Sequence, residues 1–214
     1  MTVAHATSAV MERLKAETLE AHKAAEGHPL QRAHAMGKLP QEQYVRNLGQ
    51  LFHVHRALEA ALRETAAKLP AIRTIVKEYQ YQEPYLREDL AHFGVKPESV
   101  AALPATARIV ARIGELGKVD PLALLGMHYV LEGSNNGSKF LCRVVQRQYG
   151  LAPGPGTRYM DPYGDRQREF WEQFKADMNA AGFNEEQATA LVGAAGEMFD
   201  AIGAIGTDVL NAGA

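Results

Sequence analysis

Two clusters in the chain combine residue types and spacing that could do chemistry: a histidine with a carboxylate one helical turn away, and a pair of glycines among small polar residues. In "LKAETLEAHKAAEGH", Glu26 stands four residues after His22, on the same face of a helix. A carboxylate there can receive one ring N–H and leave the other nitrogen as an acceptor toward a metal. Lys15 falls about 20° from His22 around an ideal helix, two turns along the same edge. A metal ligand with a nearby cation suits an anionic metal complex.

The second cluster is "YVLEGSNNGSKFL", Tyr129 to Leu141, in a segment that otherwise reads as one amphipathic helix. Gly133 and Gly137 each cost about 1 kcal/mol relative to alanine in a helix interior. At i and i+4 they share a face, where the missing Cβ permits a kink or the close approach of another body. That body is either a second helix or a flat ligand. Ser134, Asn135, Asn136 and Ser138 add hydrogen-bonding groups that a dry helix contact rarely uses, but the spacing alone leaves both uses open.

The remaining candidates are weaker. His53 and His55 diverge by about 200° on a helix and cannot serve one centre; only His55 shares the apolar face of Leu51, Leu58 and Leu62. Cys142 is the single cysteine, so no internal disulfide or cysteine cluster can form, and it reads as a buried structural thiol. There is no His-Glu-x-x-His, no Cys-x-x-Cys, no pair of Glu-x-x-His motifs, no phosphate-cradling glycine loop and no Gly-x-Ser-x-Gly.

The elements that must position these groups are helices. The ten prolines divide the chain, and the stretches between them carry three- and four-residue apolar spacing. Helices are expected over Ser8–Ala25, from after "LPQEQY" to about Lys68, and over Pro84–Phe93, Pro104–Leu116, Pro121 to about Gln148, Asp165 to about Ala181, and Glu185–Leu210. The loop of obvious length is "YGLAPGPGTRYMDPYG". With no alternating β-branched segment and no repeat, the fold class is an all-α bundle, and 214 residues with 46% hydrophobic content suit one domain over residues 1–214.

A net charge of −2 supplies no broad cationic field for nucleic acid or anionic membrane. The N-terminal segment lacks a signal-peptide run, and the most apolar later stretch, "PLALLGMHYVLEG", is too short to span a bilayer. A cytoplasmic protein and a monomer are expected.

Taken together, "LKAETLEAHKAAE" and "LEGSNNGSKFL" resemble the haem oxygenase family, whose bacterial members carry Leu-Lys-x-x-Thr-x-x-x-His-x-x-x-Glu near the start and Gly-Ser-Asn-x-Gly in the distal helix. "LREDLAHFG", "RYMDPYGDR", "FWEQFKADMN" and "EMFDAI" are similar to further family segments in the family's order, covering nearly the whole chain.

The resemblance implies haem b as both cofactor and substrate, held between a proximal N-terminal helix and a kinked, glycine-rich distal helix. It implies His22 as the axial ligand oriented by Glu26, and Lys15 and Lys175 as cations for the propionates. His55, Tyr129 and Phe199 would line the haem, Gly133 and Gly137 would let the distal backbone approach its face, and Ser134 and Asn135 would anchor a proton-delivering water network. The implied reaction is oxidative cleavage at a meso carbon to biliverdin, ferrous iron and carbon monoxide, using dioxygen and electrons from an external ferredoxin or NAD(P)H-dependent reductase.

The sequence departs from the mammalian-type pattern at Ser134, Ser138, Leu19, His55 and His128, and from many bacterial members at Asn136, which leaves the choice of meso carbon open. Two alternatives are kept: a non-catalytic haem carrier or sensor on the same fold, and a helical relative such as a thiaminase-like or di-iron enzyme.

Overall fold

A computed structural model describes residues 9–212, and every regular element in them is helical. The helices are α1 (Val10–Glu17), α2 (Leu19–Glu26), α3 (Pro29–Ala35), α4 (Gln41–Ala66), α5 (Pro70–Ile75), α6 (Glu83–His92), α7 (Pro104–Val119), α8 (Leu124–Tyr149), α9 (Gln167–Ala180) and α10 (Glu185–Asn211). The expected helix start at Ser8, and His5, lie outside the described residues.

The long helices follow the apolar spacing. Tyr44, Leu48, Phe52, His55, Leu58 and Leu62 form the buried face of α4. An Asn184–Gln187 capping box starts α10. Gly150, at φ 68°, ends α8, and the Leu151 N–H returns to the Gln146 carbonyl at 2.8 Å. Side chains from these helices build one connected apolar core.

Three expectations need correction. The first helix is not continuous to Ala25: Thr18 breaks it, its hydroxyl bonding back to the Leu14 carbonyl at 2.6 Å while its own backbone leaves helical geometry. Pro29 and Pro70 do not merely punctuate loops; each takes the first helical position of a short helix, α3 and α5, where a proline lacks no needed N–H. The most apolar helix is α10, not the 121–133 stretch. Its best window has mean hydropathy 1.3, long and apolar enough to cross a membrane by composition, yet its inner face is part of the core.

The closest backbone approach in the bundle is at Gly126. A Cβ built there would lie 2.0 Å from the Leu191 carbonyl oxygen, so α8 and α10 cross where no side chain fits. Close helix packing on glycine is therefore real in this chain, but one and a half turns or more before the Gly133–Gly137 pair.

Candidate functional site

α10 supports two helices that carry the sequence candidates: α2 and α8 both pack on it. α2 buries none of its eight residues. Only Ala21 and Ala25 pack against the core, and Leu19, His22 and Ala24 are left exposed.

The His22 imidazole is half-exposed and stands edge-on to Phe199 of α10, with ring centroids 5.5 Å apart at 85°. Its Nδ1 is 3.7 Å from Glu26 Oε2, within ion-pair range but longer than a hydrogen bond. Lys15 is exposed at the end of α1. Lys175, on α9, pairs with Glu172 at 2.9 Å. Among the described residues no cluster of three or more His, Cys, Asp or Glu side chains could hold a metal ion, so a metal here has a single histidine to bind.

α8 runs as one uninterrupted helix through both glycines. The kink expected from the resemblance does not show as a break. Instead, three side chains bond back by three residues: Ser134 to the Leu131 carbonyl at 2.7 Å, Asn136 to Gly133 at 3.0 Å, and Ser138 to Asn135 at 3.2 Å. Such bonds compete with the backbone ladder and loosen the helix locally. A Cβ at Gly137 would meet nothing within 4 Å, and one at Gly133 would meet only the Trp171 ring, at 3.4 Å. No helix backbone is packed against either glycine, so the helix-packing use left open above is not the one made here. Phe140 lies within about 60° of this face, and it is 65% exposed.

Aromatic side chains line the flank. Tyr129 and Trp171 have centroids 6.0 Å apart, and the Trp171 ring stacks on Phe174 at 5.5 Å. Burial raises the Tyr129 phenol while the neighbouring Thr18 hydroxyl pulls it back, so Tyr129 links α8 to the break that begins α2.

The other candidates point inward. His55 is buried, with Nδ1 3.1 Å from Glu59 Oε1 and Nε2 3.1 Å from the Tyr159 hydroxyl. His53 reaches the Val100 carbonyl at 2.7 Å, confirming that the two histidines diverge. Asn135 is buried beside Glu132, and Ser134 is beside the Tyr159 hydroxyl. The structure thus leaves His22 and Gly137 exposed on helices that pack on α10, with Phe199 buried beside His22 and Tyr129 partly buried, and it buries His55 and Asn135.

Sequence reasoning passed over Trp171, Phe140, Tyr159 and Glu132. Only Glu132 had a readable signal, a lone carboxylate inside the apolar run "YVLEG".

Comparison with known proteins shows the family and the fold. The family described as Heme oxygenase matches residues 8–205, and the chain belongs to it. Heme oxygenase 1 of Rattus norvegicus is 26% identical over 181 residues, covering 82% of this chain and 62% of the relative. The corresponding protein of Pongo abelii is 26% identical over 79% of this chain and 60% of its own length. The chain spans about 60% of the length of these curated relatives.

The solved structure of heme oxygenase from Leptospira interrogans superposes with a TM-score of 0.87 at 25% identity, covering 93% of this chain and 98% of that one. Heme oxygenase-2 from Synechocystis, solved in complex with heme and NO, gives a TM-score of 0.89 at 22% identity over 94% of this chain and 85% of that one, a likeness of fold.

Proposed function

We propose that this protein is a haem oxygenase that cleaves haem b to biliverdin, ferrous iron and carbon monoxide, taking electrons from a separate ferredoxin or NAD(P)H-dependent reductase. The observation that supports this most is the pair of uncovered faces around α10: α2, which buries nothing, and the α8 face on which Gly133 and Gly137 leave bare backbone. A flat ligand with an axial coordination position suits both.

The residues fit a haem. His22 offers an accessible imidazole with a carboxylate behind it, and the open space at Gly137 is a cradle that any larger side chain would fill. Haem bound there supplies the dioxygen and redox chemistry and is itself the carbon skeleton oxidised. His22 would hold the haem iron through its imidazole.

Each remaining part is played by this chain's own groups. Glu26 orients His22. Lys15 and Lys175 bind the propionates, Lys175 exchanging its present partner Glu172. Phe199, Tyr129, Trp171 and Phe140 give apolar contact and exclude water. Ser134 and Asn135 hold the proton donors on the glycine side, supported from behind by His55.

Titration with haemin tests the ligand assignment. The wild-type protein should give a saturable histidine-ligated Soret band, and His22→Ala should lose that spectrum; an unchanged spectrum in His22→Ala rules the assignment out. A haem carrier or sensor would share this binding and differ in leaving the haem intact under reductant and oxygen.

A further inference from the structure

Behind the glycines of α8 lies an open ring of buried hydrogen bonds. It starts at the Tyr159 hydroxyl, which bonds His55, and passes from His55 to Glu59 Oε1, each step 3.1 Å. The backbone N–H groups of Gln82 and Glu83 donate to the same Glu59 oxygen at 2.7 and 3.0 Å. The Gln82 side chain donates to the Tyr163 hydroxyl at 3.4 Å, and Tyr163 donates to Glu132 Oε2 at 2.8 Å. Asn135, 3.4 Å from that oxygen, ends it on α8, next to Ser134, whose hydroxyl donates to the Leu131 carbonyl at 2.7 Å.

Two carboxylic acids share this enclosure, and among the described residues no lysine or arginine is paired with either. The groups that face Glu132 are Tyr163 and Tyr159 from the segment between α8 and α9, Tyr79 from the turn between α5 and α6, and its own-helix neighbour Asn135. Behind them on α4 stand His55 and Glu59. His128 is also enclosed, and burial holds it down to about 4, so it supplies no positive charge near neutrality. Glu59 has the His55 imidazole at 3.1 Å, whereas Glu132 has no basic side chain paired with it among the described residues; a retained proton removes the cost of burying its charge.

The bonding shows which acid keeps it. Glu59 Oε1 accepts from two backbone N–H groups and faces an imidazole. Each acid has one buried oxygen without a protein partner, Glu59 Oε2 and Glu132 Oε1, so the other oxygens decide: that of Glu132 has only one phenol and one long amide contact to stabilise a charge. Burial pushes its carboxyl up to about 7, with the Tyr163 hydrogen bond opposing.

We propose that Glu132 is the proton-holding group of the site, a neutral carboxylic acid set directly behind Gly133 that restores protons to the Ser134–Asn135 side of the pocket. The role rests on the haem oxygenase reading. In the step, the Glu132 O–H bond breaks, an O–H bond forms on an acceptor oxygen in the pocket, and the carboxylate regains its proton from solvent water. Electrons come from the external reductant.

Infrared difference spectroscopy of the apoprotein tests the protonation without haem. Wild type should show a protonated-carboxyl C=O stretch that fades as pH rises through about 7 and is missing from Glu132→Gln. Tyr163→Phe, which removes the donor to the ionised form, should keep the band and move its loss to higher pH.

With haem and reductant, Glu132→Gln should retain the wild-type haemin spectrum while turnover falls by about 100-fold and loses its decline through this pH window. A band that persists in Glu132→Gln, or a variant with wild-type turnover and pH profile, overturns the proposal. Failure of the haem reading itself looks different: wild type binds no haemin, and the role falls with it.

Discussion

The ring of Phe199 meets the edge of the His22 imidazole at 5.5 Å and 85°, so the most exposed helix of the site takes its orientation from the most apolar helix of the core. An edge-to-face pair of this kind contributes about 0.5–1.5 kcal/mol beyond area burial. Phe199→Leu, which keeps most of the apolar volume, should therefore cost about 1 kcal/mol in a denaturant titration. It should also weaken haemin binding more than an equally destabilising core substitution remote from α2. Equal effects on binding would mean that the pair only packs.

The glycines separate packing from function. Gly126→Ala places a methyl 2.0 Å from the Leu191 carbonyl, where two helix backbones must part. Overpacking of this kind costs about 3 kcal/mol, and thermal melts should show it.

Gly137→Ala should do the reverse. Its methyl meets nothing within 4 Å, and alanine is favoured by about 1 kcal/mol in a helix interior. The apoprotein should become more stable while haemin affinity and turnover decline. A Gly137→Ala protein that is more stable and equally active would show that nothing approaches this backbone.

Much of this was legible in the sequence. The long helices were, because α4, α8 and α10 repeat apolar residues at helical spacing and end at recognisable caps. The cluster of His22, Glu26 and Phe199 was also visible, through motif order. The two glycine uses could not be told apart: Gly126 and Gly133 both lie in apolar helical sequence, and only the position of Leu191, far along the chain, marks the first as a crossing point. The polar ring was hidden for the same reason. Its members come from α4, the Gln80–Gln82 turn, α8 and the 159–163 loop, and hydrogen bonds between such distant segments leave no local pattern. The break at Thr18 left no mark either, because a threonine bonded back onto the preceding turn, as Thr18 is onto Leu14, also sits inside the unbroken α4 at Thr65.

Burial of Glu132 predicts a pH-dependent stability. Its folded value, about 7, lies above the ordinary 4.5, so the neutral form is favoured by folding. That contribution is complete below the unfolded value and is lost as pH rises from there through about 7. The shift corresponds to about 3 kcal/mol. Asp89, raised by burial to about 6 although it accepts three backbone N–H bonds, acts in the same direction. In denaturant titrations wild type should lose stability more steeply than Glu132→Gln as pH rises through about 7, so that the two curves diverge. Parallel curves would show that Glu132 does not titrate between the two states.

The central claim is that the pocket destroys the haem it binds. The most direct measurement reconstitutes the protein with haemin, adds a reducing system under oxygen with catalase present, follows the Soret band and identifies the extracted pigment. Loss of the Soret band with formation of biliverdin and carbon monoxide is expected. Intact haem recovered after reduction and oxygenation would contradict it and leave a protein that carries haem without consuming it.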